Sequence, residues 1–244
     1  MVTIRFYEEL NDFLPREKRK TDIVAELSEG ATTKKLIEDM GVPHTEVDLI
    51  LVNGESVDFS RKLRSGDRIS VYPVFESFDL KNVSKVRSQP LRDPRFILDV
   101  HLGKLAGALR MLGFDTLYSN DYDDEQLVDI AVAEKRIILT RDREMLKRRV
   151  VSHGYCVRSK ETDRQITEVI KRFHLEASMK PFSRCLRCNI PLVSVEKETI
   201  IEQLPPLVRK HYEHFWTCQQ CSQIYWKGSH WEHMQAKIRG YLGA

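Results

Sequence analysis

Cys185-x-x-Cys188 and Cys218-x-x-Cys221 constrain this chain more than any other feature of its sequence. Each pair has the spacing of a tight knuckle that sets two thiolates on one ion, and 29 residues separate the pairs. Four sulfur ligands complete a tetrahedral Zn²⁺ site, so Cys185, Cys188, Cys218 and Cys221 are expected to hold one structural zinc with no coordination position left for catalysis. The fifth cysteine, Cys156, falls in an apolar strand pattern and reads as a buried core residue. Residues Met1 to Phe6 show no basic stretch leading into an apolar one, so no secretory signal is expected. A cytoplasmic location follows, and reduced thiols there favour metal over disulfides. The longest apolar runs, Leu49 to Val52 and Ile130 to Ala133, are four residues each, against the roughly 20 that a membrane span needs. Membrane spanning is not expected.

The first 76 residues read as a small α+β unit. Val2, Ile4 and Phe6 alternate with polar neighbours as a half-buried strand requires, and Thr21 to Leu27 offers a second strand. Thr32 or Thr33 then caps a short helix through Leu36, Ile37 and Met40 that Gly41 ends. Val47 to Val52 runs into Asn53-Gly54, a hairpin signal, and Arg68 to Tyr72 alternates again after Ser65-Gly66-Asp67. The expected order is ββαββ, which resembles the β-grasp fold of ubiquitin-like sulfur carriers. Those carriers work through a free terminal Gly-Gly, whereas here the strand continues into Val74 and beyond, so an interaction role with a protein partner is expected for this domain.

Residues 77–94 interrupt the apolar pattern with Asn82, Ser84, Ser88, Pro90 and Pro94 and are expected to be a linker. No acid of interest lies before it, so the first domain is expected to fold independently and to be dispensable for chemistry. From residue 95 strands and helices alternate: Phe96 to Leu98, Leu102 to Leu112, Thr116 to Tyr118, Asp124 to Glu134, Ile137 to Leu139, a helix from Asp142, a strand at Gly154 to Val157 and an amphipathic helix over 161–173. Such βαβ alternation argues for a parallel sheet with helices on both faces over 95–178, followed by a zinc ribbon over 179–244.

Ligands of open parallel sheets bind beyond the carboxyl ends of the strands, so acids there carry information. Asp99 ends its strand, Asp123 and Asp124 open the helix after the second, and Asp142 and Glu144 follow the third. Carboxylates grouped there would repel one another unless a hard divalent cation such as Mg²⁺ or Mn²⁺ joined them, and such ions polarise phosphodiesters. Each acid also has a plainer reading: Asp124 and Asp142 suit helix caps, and Glu144 suits a helix N-terminus. Asp99 resists that reading, because an acid ending a buried strand is unusual unless paired or bound to metal. Lys104, five residues after Asp99, is either a phosphate contact or a solvated lysine. Gly103, Gly107 and Gly113 read as packing and helix-ending glycines, since no Gly-x-Gly-x-x-Gly loop follows the strand.

The stretch Phe96 to Tyr118, Asp123 to Leu127 and Ile138 to Glu144 resembles the PIN-like RNase family named for the carboxyl-terminal domain of a mutator exonuclease, over about 95–240. An attached β-grasp domain fits that family too. The resemblance implies RNA as substrate, with Asp99, Asp124 and Asp142 holding Mg²⁺ or Mn²⁺ and Glu144 as a weaker fourth acid.

Arg141, Arg143, Lys147, Arg148 and Arg149 surround the third acidic position, where cations would hold an RNA backbone, although a charge run is often a solvated helix face. Trp216, Tyr225, Trp226 and Trp231 near the knuckles either stack on bases or supply a minimal core. A net charge of +3 permits a polyanionic partner without requiring one. The expectation is a metal-dependent ribonuclease; the alternative is a non-catalytic RNA-binding or adaptor protein that uses the zinc ribbon and the basic surface.

Overall fold

A computed structural model describes residues 1–73, 85–86 and 94–242. The expected linker over 77–94 lies outside the described residues apart from 85, 86 and 94. In chain order the strands and helices are β1 Val2–Phe6, β2 Ile23–Ala25, α1 Thr33–Asp39, β3 Val47–Val52, β4 Glu55–Val57, β5 Arg68–Pro73, β6 Phe96–Leu98, α2 Gly103–Met111, β7 Thr116–Leu117 and α3 Asp124–Glu134. They continue with β8 Ile137–Thr140, α4 Arg143–Lys147, β9 Gly154–Cys156, α5 Thr162–Phe173, β10 Val193–Val195, α6 Lys197–Ile200, α7 Pro206–His211, β11 Phe215–Thr217, β12 Ile224–Tyr225 and α8 Ser229–Tyr241. The contacts divide the chain into two compact units, Met1–Asp93 with Asp123–Val157, and Pro94–Tyr122 with Arg158–Ala244.

The first unit carries a five-stranded sheet in the order β2-β1-β5-β3-β4, with β1 and β5 parallel and the other pairs antiparallel. Val2, Ile4, Phe6, Ile37, Ile50 and Val71 form its core, the alternation in β1 putting every second side chain inside. Thr32 caps α1, its side chain accepting the Lys35 N–H at 3.3 Å, and Gly41 follows the helix at φ +90. The expected ββαββ order gains a strand, because Asn53 and Gly54, at φ 53 and 88, turn β3 back into β4. A two-residue loop with both residues at positive φ matches strand twist, which is why Asn-Gly favours it. β4 is short and exposed to half-buried, so it lacks the alternation that reveals a strand.

In the same unit β8 and β9 pair in parallel, Thr140 opposite Cys156. All four residues of β8 are buried, as in a strand covered on both faces. These segments fall in one compact unit with the β-grasp domain. His44 Nε2 lies 2.8 Å from the Val151 carbonyl, and the Cys156 N–H donates to Glu46 Oε1 at 2.6 Å. Both His44 and Glu46 are buried there, so removing the first domain would leave the Val151 carbonyl and the Cys156 N–H without these partners.

The second unit pairs β6 with β7 in parallel, Phe96 opposite Thr116. The Phe96 ring meets Phe114 and Phe173 edge-on, with centroids 6.0 and 5.7 Å away, and α5 adds buried Ile166, Val169 and Ile170. Gly113 is obligatory: it stands at φ +95 just past α2, and a Cβ there would collide with the Lys180 carbonyl. Gly103 lies against the Tyr118 ring, whereas Gly107, expected to pack, has open space where a Cβ would stand. β10, β11 and β12 make a separate antiparallel sheet over Ile200, Leu204 and Phe215. Beyond the β-grasp sheet, the first unit holds the parallel pair of β8 with β9 and the second that of β6 with β7. No helix among the described residues is long and apolar enough to cross a membrane.

Candidate functional site

The four knuckle cysteines converge. The Sγ atoms of Cys185, Cys188, Cys218 and Cys221 all lie within 4.8 Å of one another, and the Cys185 and Cys221 sulfurs are 3.7 Å apart. Four ligands at about 2.3 Å from a tetrahedral ion would stand about 3.8 Å from each other. The donor set and its spacing therefore fit one metal ion of the zinc kind. Cys185 and Cys218 are buried, as a closed structural site requires.

Four thiols this close also disturb one another. Burial pushes the Cys185 thiol up, but the Tyr225 hydroxyl and the Cys188 and Arg187 N–H groups outweigh it and bring its pKa down to about 6. The hydrogen bond with Cys221 pushes Cys188 up to about 12. A shared cation resolves this conflict, since metal ligation deprotonates all its thiols.

The knuckle is not a loose appendix. Arg110 of α2 is buried and donates from Nε to the Thr116 carbonyl at 2.9 Å and from Nη1 to the carbonyls of Leu186 and Arg187 at 3.0 and 2.9 Å. Asn189 accepts the Thr116 N–H at 2.8 Å and donates to Asp115 at 2.8 Å. Turn carbonyls beside the cysteines and the backbone of β7 are thus satisfied by the same few side chains. Sequence reasoning missed Arg110 and Asn189, because a single polar residue reaching across the chain leaves no periodic trace.

Trp226 and Tyr212 pack on the Ile200, Leu204 and Phe215 cluster, the Trp231 ring lies 5.4 Å from Phe182, and Lys227 Nζ sits 5.8 and 5.5 Å from the Trp216 and Trp231 rings.

The acidic positions are placed as follows. Asp99 directly follows β6, is only 6% exposed, and accepts the His101 N–H at 2.8 Å, which caps the short turn Val100–Leu102. Lys104 is exposed in the first turn of α2. Asp123, not Asp124, caps α3: its side chain accepts the Gln126 N–H at 2.8 Å while Gln126 accepts the Asp123 N–H at 3.2 Å. The Asp123-x-x-Gln126 spacing is a capping-box signal that would have found this. Asp124 is thereby released from a capping role, and its side chain is 58% exposed.

Asp142 does cap α4, accepting the Glu144 N–H at 2.8 Å through Oδ1. Arg148, just past the end of α4, reaches the start of α3, donating to the Asp124 carbonyl at 3.3 Å and pairing with its carboxylate at 3.7 Å. A half-exposed ion pair of that length contributes about 0–1 kcal/mol. Glu144 is exposed and pairs with Lys147 at 2.7 Å. Arg148 and Lys147, expected to hold RNA phosphates, therefore face carboxylates of their own chain.

A ubiquitin-like sheet domain, a parallel α/β sheet carrying acids after its strands, and a four-cysteine knuckle define the class of protein at hand. The model of the Mut7-C RNAse domain matches residues 94–238, and that of the Mut7-C ubiquitin domain matches residues 1–79. The chain belongs to the Mut7-C RNAse domain family. It is similar to the human protein named exonuclease mut-7 homolog, at 35% identity over 106 residues, which is 41% of this chain and 12% of that protein. No solved structure matches the chain.

Proposed function

We propose that the chain is a metal-dependent ribonuclease that hydrolyses RNA phosphodiester bonds, with Asp99, Asp124 and Asp142 as ligands of Mg²⁺ or Mn²⁺. The observation that carries this reading is Asp99, a buried carboxylate directly after a strand whose three residues are all buried. Its bond to the His101 N–H holds Asp99 Oδ1 in place at the strand end, where ligands of open parallel sheets bind. The exposed Asp124 carboxylate and the family match over 94–238, which contains all three aspartates, add to it. Hard oxygen donors suit these two ions.

The bound ion would supply Lewis-acid stabilisation of charge on the phosphodiester oxygens. Asp99, Asp124 and Asp142 would orient and hold it, Glu144 would stand at the rim, and Lys104 would balance phosphate charge. Zn²⁺ on Cys185, Cys188, Cys218 and Cys221 would be structural. The working division is 1–76, 77–94, 95–178 and 179–244, the first part meeting a protein partner, and the location is the cytoplasm.

Titration of the full chain with Mn²⁺, followed by calorimetry, tests the reading. We expect saturable binding that Asp124→Asn weakens. Absence of Mn²⁺ binding by the parent favours the non-catalytic RNA-binding or adaptor alternative, which needs no ion at these acids.

A further inference from the structure

Arg143 follows Asp142 directly and opens α4. Arg143 is exposed, yet its guanidinium reaches the β-grasp domain: the central carbon lies 4.8 Å from the centroid of the Phe13 ring. Nη1 and Nη2 stand 3.4 and 3.5 Å from the Phe13 and Asp12 carbonyls. A guanidinium suits this place because its face stacks on a ring while its edge donates to carbonyls. The receiving turn is itself fixed, since buried Asn11 donates to the Phe6 and Glu8 carbonyls at 3.0 and 2.9 Å.

The opposite end of the same segment is also held by the β-grasp domain, Val151 by His44 and Cys156 by Glu46. Between these anchors α4 has five residues, too few for a helix to keep its geometry by itself. Its first turn contains the Asp142 carboxylate, whose orientation is set by the Glu144 N–H.

We propose that the β-grasp domain is a positioning element of the nuclease site, and that Arg143, seated on Phe13, fixes the start of α4 and with it the Asp142 carboxylate. Arg143 is a positioning residue and does not contact RNA. This rests on the assignment of Asp142 to the metal ligands.

The experiment compares the parent full chain with Arg143→Ala, Arg143→Lys and Phe13→Leu, reading Mn²⁺ affinity by calorimetry and the KM for RNA at saturating Mn²⁺. Arg143→Ala should weaken Mn²⁺ binding about tenfold, equivalent to about 1.4 kcal/mol, with an unchanged KM for RNA. Arg143→Lys, which keeps a charge near the ring but loses the planar face and the paired donors, should recover only part of the loss. Phe13→Leu keeps apolar bulk and should shift Mn²⁺ affinity in the same direction, which preserves the test if Arg143→Ala does not fold. Unchanged Mn²⁺ affinity with a raised KM for RNA would make Arg143 a phosphate contact and overturn the proposal while leaving the nuclease reading intact. A parent chain that binds no Mn²⁺ would instead overturn the nuclease reading, and the positioning role with it.

Discussion

Glu46 and Cys156 stand 110 positions apart, yet the Cys156 N–H donates to Glu46 Oε1 at 2.6 Å in a buried setting. β9 pairs with β8 along its other side, so the Cys156 N–H takes its partner from a side chain instead of a strand. In the second unit the Thr116 N–H of β7 is likewise accepted by a side chain, Asn189, at 2.8 Å.

Loss of the Glu46 acceptor would strand a buried donor, which costs about 1–3 kcal/mol. Glu46→Ala is expected to lower the urea midpoint accordingly with little change in the slope of the transition, and Glu46→Gln, which retains an acceptor, to lower it less. Equal midpoints for Glu46→Ala and the parent would show that this contact contributes nothing.

His44 makes stability depend on pH. Burial, and next the Lys34 charge, hold its pKa below 6.5 against the opposing Val151 carbonyl and Glu38 carboxylate. The native state therefore binds fewer protons than the unfolded chain in the window just below 6.5. Stability from this group is present above that value and is lost as pH falls through the window. Urea midpoints at about pH 7.5 and about pH 5 should differ more in the parent than in His44→Gln. An identical pH dependence in both would contradict this.

Metal at the knuckle is expected at one equivalent per chain, measured by elemental analysis, and Cys188→Ser should lose it. The effect should reach beyond the ribbon, since Arg110 and Asn189 join the knuckle turns to Thr116. Chelation should accelerate amide hydrogen exchange at Thr116 and leave β3 of the β-grasp sheet protected. Zinc-free protein with Thr116 fully protected would separate the ion from β7.

The periodic features of this fold were legible from residues alone. Val2, Ile4 and Phe6 alternate, the bounds of β3 and α3 follow from apolar spacing and caps, and the knuckles announce themselves by spacing. β4 was hidden because an exposed three-residue strand has no pattern to read. The role of Asp123 was present in its spacing to Gln126 but masked by the adjacent Asp124. Arg143 read as one cation in a basic run, and only the folded chain shows that Phe13 receives it. Polar contacts between distant segments depend on tertiary placement, which no local window encodes. The assignment of Asp99, Asp124 and Asp142 to one ion came from their strand-end positions and the family resemblance, and it stands as a proposal.

The most direct measurement is cleavage of a panel of single-stranded and structured RNAs by the full chain in Mn²⁺, beside the chelated protein and Asp99→Asn. Asparagine keeps the shape of Asp99 and removes its charge. The account predicts cleavage by the parent in Mn²⁺, none after chelation, and a loss of at least about a hundredfold in Asp99→Asn with the fold retained and RNA binding undiminished. Cleavage by Asp99→Asn at the parental rate, or cleavage that persists in chelator, would contradict it.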